Sequence, residues 1–526
     1  MLSALILENF KAFGGRRTIP IRPLTLIFGP NSAGKSAILQ SLLLLKQTMD
    51  SSASYAPLQP RGELVDLGTF EDMLHRHDRS RTMEVCPLFS IPHDDWPVFE
   101  PRTITGASNS PYGMGLRIQS NEAGGMDLAN AAFYIEDHSQ PAFRLTASSE
   151  ALTPSHPFGT SKMVKNRRDS SRGQEIWEEQ SIAPWRPISE AAIYLDDVEV
   201  DANAAGWRRF IDWCFGDDVE DEMGPDIVRD ALPAAFQNSK LLLTSLEVTD
   251  AHDWPQPALE EMFFSDGDTD DDADFAPPLG TFAKEISAGL RDLLRGLLYI
   301  GPLRDFPERH YLFSGAEPIH VGTTGQLTVD LLFNRPDLVD QVNAVLGRFK
   351  ISYRIAVQKL RDESGKVSDV FTLQVVDQRS GVAVSLRDVG FGISQVLPVL
   401  VQTLLAENNT VLIEQPELHL HPRLQAELAD VFIESALGDR KNTFLIETHS
   451  EHLILRIMRR LRETSRGTLP EGMPELRPDD VSIIYVHPME DGSGSIPLVM
   501  DLDEEGDLLT AWPNGFFEEG FHERFA

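Results

Sequence analysis

A glycine-rich stretch near the N-terminus carries the clearest chemistry in the sequence. It reads Gly29-Pro30-Asn31-Ser32-Ala33-Gly34-Lys35-Ser36 and matches the pattern G-x-x-x-x-G-K-[ST], whose backbone N–H groups surround phosphate oxygens. In that pattern Lys35 reaches the β- and γ-phosphates, and the Ser36 hydroxyl binds Mg²⁺. The apolar run Pro23–Phe28 predicts a buried strand before it, and Ala37–Gln47 predicts a helix after it. The stretch therefore predicts a site for ATP with Mg²⁺, and an ordinary Gly-rich strand–helix turn is the alternative.

Two apolar runs far downstream end in polar residues suited to the same chemistry. Val411–Glu414 predicts a central parallel strand that carries a carboxylate on the Mg²⁺ side of the nucleotide. Thr443–Glu447 predicts a second buried strand, and Thr448-His449-Ser450 follows it. An α/β sheet binds ligands at the carboxyl ends of its strands. Both runs are therefore expected to contribute to the nucleotide site.

The elements between these motifs are less informative about chemistry. Residues from about 90 to 290 carry no sharp motif and predict a mixed insertion, with helices around Ser189–Val198 and Trp207–Phe215. The aromatic tail Trp512–Phe517 is expected to pack back on the body of the protein. Alternating segments separated by turn residues predict an antiparallel meander over Ser352–Val357, Val370–Val376 and Val382–Leu386.

Composition excludes several classes of protein. The net charge of −34 over 526 residues argues against wholesale coating of nucleic acid. Two cysteines are too few for a disulfide framework or a cysteine-built metal site, so a reducing cytoplasm fits. No run approaches the roughly 20 apolar residues that span a membrane, and the short apolar N-terminus does not fit a signal peptide. We therefore expect a cytoplasmic protein with no membrane domain.

Several charged segments have two readings each. The acidic run at residues 265–275 predicts a solvated loop, because it lacks the spacing of an EF-hand calcium loop. Arg304 and Arg309 contact nucleotide or a neighbouring subunit, or else are surface arginines. Two basic groups either meet phosphates of nucleic acid or form solvated faces. These are a loop with Lys162, Lys165, Arg167, Arg168 and Arg172, and a helix with Arg456, Arg459, Arg460, Arg462 and Arg466, opposed only by Glu463.

Taken together, the ordered motifs resemble the ATP-binding cassette heads of the SMC, RecF and OLD class. The residues that carry the resemblance are Asn9–Phe13 (N-F-K-A-F), the phosphate loop, Gly390–Gln395 (G-F-G-I-S-Q), Ile413–Pro422 (I-E-Q-P-E-L-H-L-H-P) and Glu447–Ser450 (E-T-H-S). The chain is most similar to bacterial OLD-like AAA ATPases whose small C-terminal domain ends in W-P-x-G-F-F. The resemblance implies an α/β P-loop NTPase of ABC/SMC-head type, with an antiparallel β meander and a mixed insertion.

This resemblance also implies a domain division. Residues 1–90 would form the first part of the ATPase head and residues 91–294 the insertion. Residues 295–466 would complete the head, and residues 467–526 would form a small C-terminal domain. OLD proteins carry a Toprim nuclease after the head, and the roughly 60 residues that follow here are too few for one.

The resemblance further implies an ATP-dependent homodimer with two composite sites. Gly390, Gly392 and Ser394 would offer N–H and hydroxyl donors to the γ-phosphate across the interface, although this segment departs from the usual L-S-G-G-Q. Glu414 takes the place of the usual Mg²⁺-coordinating Asp, with Ser36 as the second metal ligand. His449 matches the switch histidine that senses the γ-phosphate, and a histidine that caps the following helix is the alternative.

Gln415 stands where a water-activating glutamate usually follows the Mg²⁺ carboxylate. An amide orients water but cannot accept its proton. Either Glu417 serves as the base or hydrolysis is slow, which predicts weak basal ATPase activity and a long-lived ATP-bound dimer. His419 and His421 lack a third ligand nearby, so they are interpreted as loop residues at the dimer seam and not as a metal site.

Three functions follow from these observations and the resemblance. The first is an ATPase whose nucleotide-driven dimerisation regulates a separate effector, a nuclease or toxin, in bacterial anti-phage defence. The second is a RecF-like or SMC-like ATPase that clamps DNA in repair or recombination, through the arginine-rich helix. The third is an inert scaffold that has lost hydrolysis.

Overall fold

A computed structural model of the chain describes residues 1–51, 57–90, 112–121, 124–135, 143–147, 161–166, 176–181, 198–201, 279–313, 315, 317–361, 367–389, 391–513 and 517. The strands are β1 (Leu2–Glu8), β2 (Arg17–Pro20), β3 (Leu24–Phe28), β4 (Met83–Phe89), β5 (Tyr112–Ser120), β6 (Met126–Ile135), β7 (Phe143–Ala147), β8 (Ser161–Asn166), β9 (Ile176–Ser181), β10 (Val198–Asp201), β11 (Leu297–Ile300), β12 (Tyr311–Leu312), β13 (Tyr353–Arg361), β14 (Val367–Asp377), β15 (Ala383–Ser385), β16 (Thr410–Glu414), β17 (Thr443–Glu447), β18 (Val481–Pro488) and β19 (Ser495–Val499). The helices are α1 (Lys35–Asp50), α2 (Phe70–Met73), α3 (Leu279–Arg295), α4 (Thr328–Asn334), α5 (Pro336–Arg348), α6 (Phe391–Leu405), α7 (Pro422–Leu437) and α8 (Glu451–Ser465).

The chain divides into two compact units. The first consists mainly of residues 3–17 and 41–295, and the second mainly of residues 18–40 and 296–526. The four-part domain division drawn from the sequence stays a prediction. No described helix combines the length and the apolar character that crossing a bilayer requires.

In the first unit an antiparallel sheet runs in the order β10-β7-β6-β5-β4-β1, and β8 pairs with β9 separately. Strand β4 is buried along its whole length, and this includes the charged side chain of Glu84. Tyr134 Oη donates to Glu84 Oε1 at 2.6 Å, and Arg16 Nη1 donates to Glu84 Oε2 at 2.6 Å. A buried carboxylate with both oxygens paired avoids the cost of an unpaired charge.

Several predictions for the insertion fall outside the described residues, apart from Val198 in β10. They are the helices at 189–198 and 207–215, the acidic run, and Arg167, Arg168 and Arg172.

The second unit contains a six-stranded sheet in the order β11-β16-β17-β3-β18-β19. All neighbours in it are parallel except the β18–β19 hairpin. Every residue of β3, β16 and β17 is buried. Continuous apolar strands of this kind need cover on both faces, which is typical of parallel sheets in α/β proteins. This mostly parallel sheet gives the unit the α/β fold that was predicted.

A second sheet in this unit forms the predicted meander. Strand β14 pairs antiparallel with β12, β13 and β15, and a register shift interrupts β13 between Lys359 and Arg361. The observed β13 and β14 are longer than the sequence pattern indicated. In β13 the extra residues 358, 359 and 361 are exposed, so the alternation that predicts a strand weakens there. The meander leads through a single turn at Leu386–Asp388 into α6.

Candidate nucleotide-binding site

The loop between β3 and α1 has a backbone that requires its glycines. Gly29 has φ +140° and Gly34 has φ +100°, both in the region that side chains with a Cβ avoid. A Cβ at Gly29 would lie 2.6 Å from the Val486 carbonyl oxygen on β18. Ser32 also has a positive φ of 63°. The predicted residues Gly29–Ser36 therefore form a tight loop that ends at the N-terminus of a 16-residue helix, where anions bind well.

Lys35 is a buried cation inside this loop. It is 5% exposed, and Nζ donates to the carbonyl oxygens of Gly29 and Pro30 at 3.0 Å each. Burial lowers the pKa of Lys35, and the nearby carboxylates of Glu447 and Glu417 act in the opposite direction. A buried ammonium that donates hydrogen bonds to neutral carbonyls gains a stronger, charged acceptor when an anion enters. The residues present therefore fit a phosphate group.

Ser36 contacts a carboxylate that the sequence analysis did not select. Its hydroxyl donates to Glu447 Oε2 at 2.7 Å, and Glu447 lies beside Glu414 in register on the neighbouring strand. A hydroxyl next to two carboxylates is an oxygen donor set that suits Mg²⁺ when phosphate completes it. Glu447 was detectable in principle, because it ends a buried strand immediately before Thr448-His449-Ser450.

Glu414 is held in place by a tyrosine from β11. Tyr299 Oη donates to Glu414 Oε1 at 2.8 Å. Burial raises the pKa of Glu414 to about 7, the charge of Glu447 adds to the rise, and Tyr299 and Arg304 oppose it. The two carboxylates therefore repel one another in a buried setting, an arrangement that a divalent cation would relieve.

This arrangement predicts an unusual pH dependence of stability without ligand. Between pH 4.5 and about 7 the folded protein keeps a proton on Glu414 that the unfolded chain has lost. The free energy of unfolding therefore falls as the pH rises through this window. We expect the melting temperature to drop between pH 5 and pH 7.5, and Glu414→Gln to reduce that drop. Differential scanning fluorimetry measures both, and equal slopes for the two proteins would contradict the prediction.

Arg304 is a buried arginine that holds the turn after β16. It is 5% exposed, so its interpretation as a surface arginine is wrong. Nη2 donates to the Glu414 carbonyl oxygen at 2.7 Å and Nη1 donates to the Gln415 carbonyl oxygen at 3.0 Å. Gln415 has a positive φ of 46°, and its N–H donates to the Glu447 carbonyl oxygen at 2.7 Å. Arg309, by contrast, is exposed and pairs with Asp388.

Removing the Arg304 guanidinium should loosen this turn. In Arg304→Met, the two carbonyl groups lose a charged donor in a buried place, which costs about 1 to 3 kcal/mol of stability. We expect a lower melting temperature and at least about tenfold weaker binding of MgATP, measured by calorimetry. Arg309→Met is the matched control, because exposed ion pairs contribute little. Equal behaviour of the two variants would contradict the role of Arg304.

The side chain of Glu417 is hydrogen-bonded to the backbone of His449. Glu417 Oε1 accepts the His449 N–H and Oε2 accepts the Thr448 hydroxyl, both at 2.7 Å. Burial raises the pKa of Glu417 and the two hydrogen bonds oppose the rise. Burial also lowers the pKa of His449, as does the charge of Lys35, so the ring is neutral near pH 7. The alternative of His449 as a helix cap is wrong, because Ser450 caps α8 by accepting the Leu453 N–H.

A family model described as the AAA ATPase domain matches residues 1–142 and 336–454. These residues include the phosphate loop, β16, β17 and His449, but neither β11 with its loop nor β18. The match supports an ATPase of the P-loop class. No curated protein matches the chain.

The chain is similar to solved structures of Smc head domains. One from Pyrococcus furiosus, with an extended coiled coil and bound to the C-terminal domain of ScpA, has 12% identity and a TM-score of 0.37, covering 95% of this chain and 96% of that one. One from Thermotoga maritima has 10% identity and a TM-score of 0.34, covering 95% and 99%. One from Pyrococcus yayanosii has 12% identity and a TM-score of 0.36, covering 96% and 98%.

The glycine-rich segment of the ATPase domain lies at the start of α6. Gly390 falls outside the described residues. A Cβ at Gly392 would lie 3.0 Å from the His419 carbonyl oxygen, so this glycine permits a close approach of the first turn of α6 to the loop that holds His419. Ser394 is 6% exposed. A contact of these residues with the γ-phosphate of a second copy stays a prediction.

The two histidines of the H-x-H motif have separate surroundings. His419 is exposed, with a positive φ of 63°. His421 is the N-cap of α7, and its Nδ1 accepts the Arg423 N–H at 3.2 Å. His421 therefore starts a helix, and the position of both residues at a dimer seam stays a prediction.

The arginine-rich helix α8 does not present free positive charge. The expectation that only Glu463 opposes its arginines is wrong, because carboxylates from α7 and from residues 505–507 also reach them. Such partners lower the net charge that the helix offers to phosphates. The pairs are Arg456 with Glu427 and Asp430, Arg459 with Glu463, Arg460 with Asp430 and Glu463, Arg462 with Asp507, and Arg466 with Glu505.

The aromatic tail packs where it was expected to, on the body of the second unit. The rings of Trp512 and Phe517 lie 5.8 Å and 5.6 Å from that of Phe28, the last residue of β3. The three residues between Pro513 and Phe517 fall outside the described residues. Edge-on aromatic contacts of this kind add stability beyond the buried area, so the tail supports the strand that leads into the phosphate loop.

Proposed function

We propose that this ATPase domain binds ATP with Mg²⁺ and hydrolyses it slowly. The observation that carries the proposal is the meeting of Lys35, the Ser36–Glu447 pair and Glu414 at the carboxyl edge of one parallel sheet. The buried lysine would bind the β- and γ-phosphates, and the hydroxyl and carboxylates would hold the cation. Magnesium would supply charge neutralisation for phosphoryl transfer to water. His449, held neutral beside Lys35, would donate or accept a hydrogen bond at the γ-phosphate.

Slow hydrolysis follows from the residues that face the attacking water. Gln415 has no proton-accepting carboxylate, and the oxygens of Glu417 already accept hydrogen bonds from Thr448 and His449. Either residue can still orient a water molecule, but neither is poised as a strong base. A long-lived ATP-bound state suits a regulated switch better than a motor.

We further propose that ATP closes two copies into a homodimer that regulates a separate effector, a nuclease or toxin, in the bacterial cytoplasm. The OLD-like motifs, with Gly390, Gly392 and Ser394 acting across the interface, support the dimer. The role in anti-phage defence rests on resemblance alone, because a fold does not determine a function. DNA clamping loses its main support, because the arginines of α8 have carboxylate partners within the chain.

Two measurements on the purified protein test this proposal. Calorimetry should detect binding of MgATP, and light scattering should give a dimer mass with MgATP or a non-hydrolysable analogue, and less dimer with ADP. A direct phosphate-release assay should give slow but measurable turnover. Absence of MgATP binding would overturn the nucleotide site, whereas binding without any change in mass would overturn only the dimer. A steep fall of DNA affinity with salt, dependent on ATP, would favour clamping instead.

A further inference from the structure

A cavity of about 270 Å³ lies in the second unit, among the segment that follows β11, the start of α4 and the start of α6. Its lining residues include the carboxylates of Asp305, Glu308 and Asp330, and no lysine, arginine or histidine. Several of the other lining residues are apolar, among them Leu397 and Pro398 of α6. The cavity therefore combines an apolar surface with negative charge of a single sign.

The mouth of the cavity carries unusually exposed apolar side chains. Phe306 and Leu312 both line it, and they are 73% and 72% exposed. With Leu303 at 79% and Ile319 at 82%, they are the four most exposed large hydrophobic residues in the part of the chain that the structure describes. Scattered exposed leucines are ordinary, but exposed apolar residues concentrated in one segment mark interaction surfaces.

The same segment is connected to the candidate nucleotide site. Arg304, one residue before Asp305, holds the carbonyl groups of Glu414 and Gln415. Ser394, a predicted γ-phosphate contact, also lines the cavity. A ligand in the cavity would therefore contact Asp305, the chain neighbour of Arg304, and Ser394 of the glycine-rich segment.

We propose that this cavity, with Phe306 and Leu312 at its mouth, docks a segment of a separate protein that places a lysine or arginine between apolar side chains. The basic group would meet Asp305, Glu308 and Asp330, and the apolar flanks would cover the exposed rings and methyl groups. Charge selects this occupant. The carboxylates attract a basic side chain and repel nucleic acid, whose phosphates carry charge of the same sign. The proposal deepens the effector hypothesis by giving the chemistry of the partner, and it rests on that hypothesis for its role in regulation.

The test uses a phage library of random 12-residue peptides, selected on the full purified chain. Selected peptides should carry a lysine or arginine flanked by apolar residues. A fluorescent copy of one such peptide, measured by anisotropy, should bind the double variant Asp305→Lys/Glu308→Lys at least about tenfold more weakly, because opposite charges have become like charges. The control Glu471→Lys/Glu490→Lys makes the same change of net charge at exposed positions outside the cavity, and it should bind as wild type does.

The outcomes separate this inference from the proposed function. Peptides without positive charge, peptides that bind the reversed variant equally well, or no selected peptide at all would overturn the docking site. If wild type self-associates and Asp305→Lys/Glu308→Lys does not, the surface is a contact between copies, and the docking site is overturned as well. MgATP binding of the reversed variant is measured in parallel and should match wild type. Loss of MgATP binding in wild type would instead overturn the nucleotide site.

Discussion

Lys35→Ala is expected to abolish MgATP binding while leaving the protein folded. Lys35 is the buried cation of the phosphate loop, and its Nζ lies 3.0 Å from two loop carbonyl oxygens. Without it, the β- and γ-phosphates lose a desolvated positive partner, which typically costs about 2 to 5 kcal/mol in a buried pair, so affinity should fall by at least about 30-fold. Calorimetry with MgATP measures the loss directly.

The matched control for this variant lies further along the same helix. Lys46 pairs with Asp50 at 3.3 Å, and Lys46→Ala removes an equal charge outside the phosphate loop. It should bind MgATP as wild type does. If Lys35→Ala kept wild-type affinity, or if both variants lost binding equally, the assignment of Lys35 to the phosphates would be wrong.

Gln415→Glu is expected to raise the rate of ATP hydrolysis by about 100-fold, the lower end of the roughly 10²- to 10⁴-fold that a positioned general base contributes. The exchange is nearly isosteric, and the hydrogen bonds that fix Gln415 run through its backbone N–H and carbonyl group. The turn should therefore keep its shape and gain only a proton acceptor. The phosphate-release assay at saturating ATP gives kcat for both proteins.

Glu417→Gln is the companion variant that tests whether Gln415 or Glu417 acts on the attacking water. An amide oxygen can accept only part of the hydrogen bonding from Thr448 and the His449 N–H, so we expect weaker nucleotide binding together with lower turnover. If Gln415→Glu left kcat unchanged and Glu417→Gln abolished it without a change in MgATP affinity, Glu417 would be the base. The slow hydrolysis attributed to Gln415 would then be wrong.

Local patterns in the sequence predicted the phosphate loop and the two buried strands of the site, whereas the fold class followed from the resemblance. The phosphate loop is continuous in the chain, and its glycines and flanking apolar runs determine its conformation locally. Strands β16 and β17 are also predictable from local sequence, because buried parallel strands appear as short apolar runs. The boundaries were less exact: α1 begins at Lys35 and extends to Asp50, whereas the pattern indicated Ala37–Gln47.

The contacts that the sequence did not indicate join segments that are far apart in the chain. Tyr299 and Arg304 reach Glu414 and Gln415 only because β11 pairs in register with β16, and no local pattern encodes that register. The same reason explains the arginine-rich helix, because all of its carboxylate partners except Glu463 lie elsewhere in the chain. The contribution of Glu447 was missed because its contact with Ser36 requires β17 to lie next to β3.

The position of β3 has a consequence for how the protein is made on the ribosome. This strand leaves the ribosome early, yet both of its sheet neighbours, β17 and β18, are translated more than 400 residues later. The Ser482 hydroxyl that donates to the Pro20 carbonyl oxygen is 462 residues away along the chain. Closing so long a loop is slow. Until its neighbours are made, the apolar β3 is exposed and can misassemble or bind chaperones. ATP should therefore act as a late folding ligand, which a newly released chain can bind only after β18 has been added to the sheet.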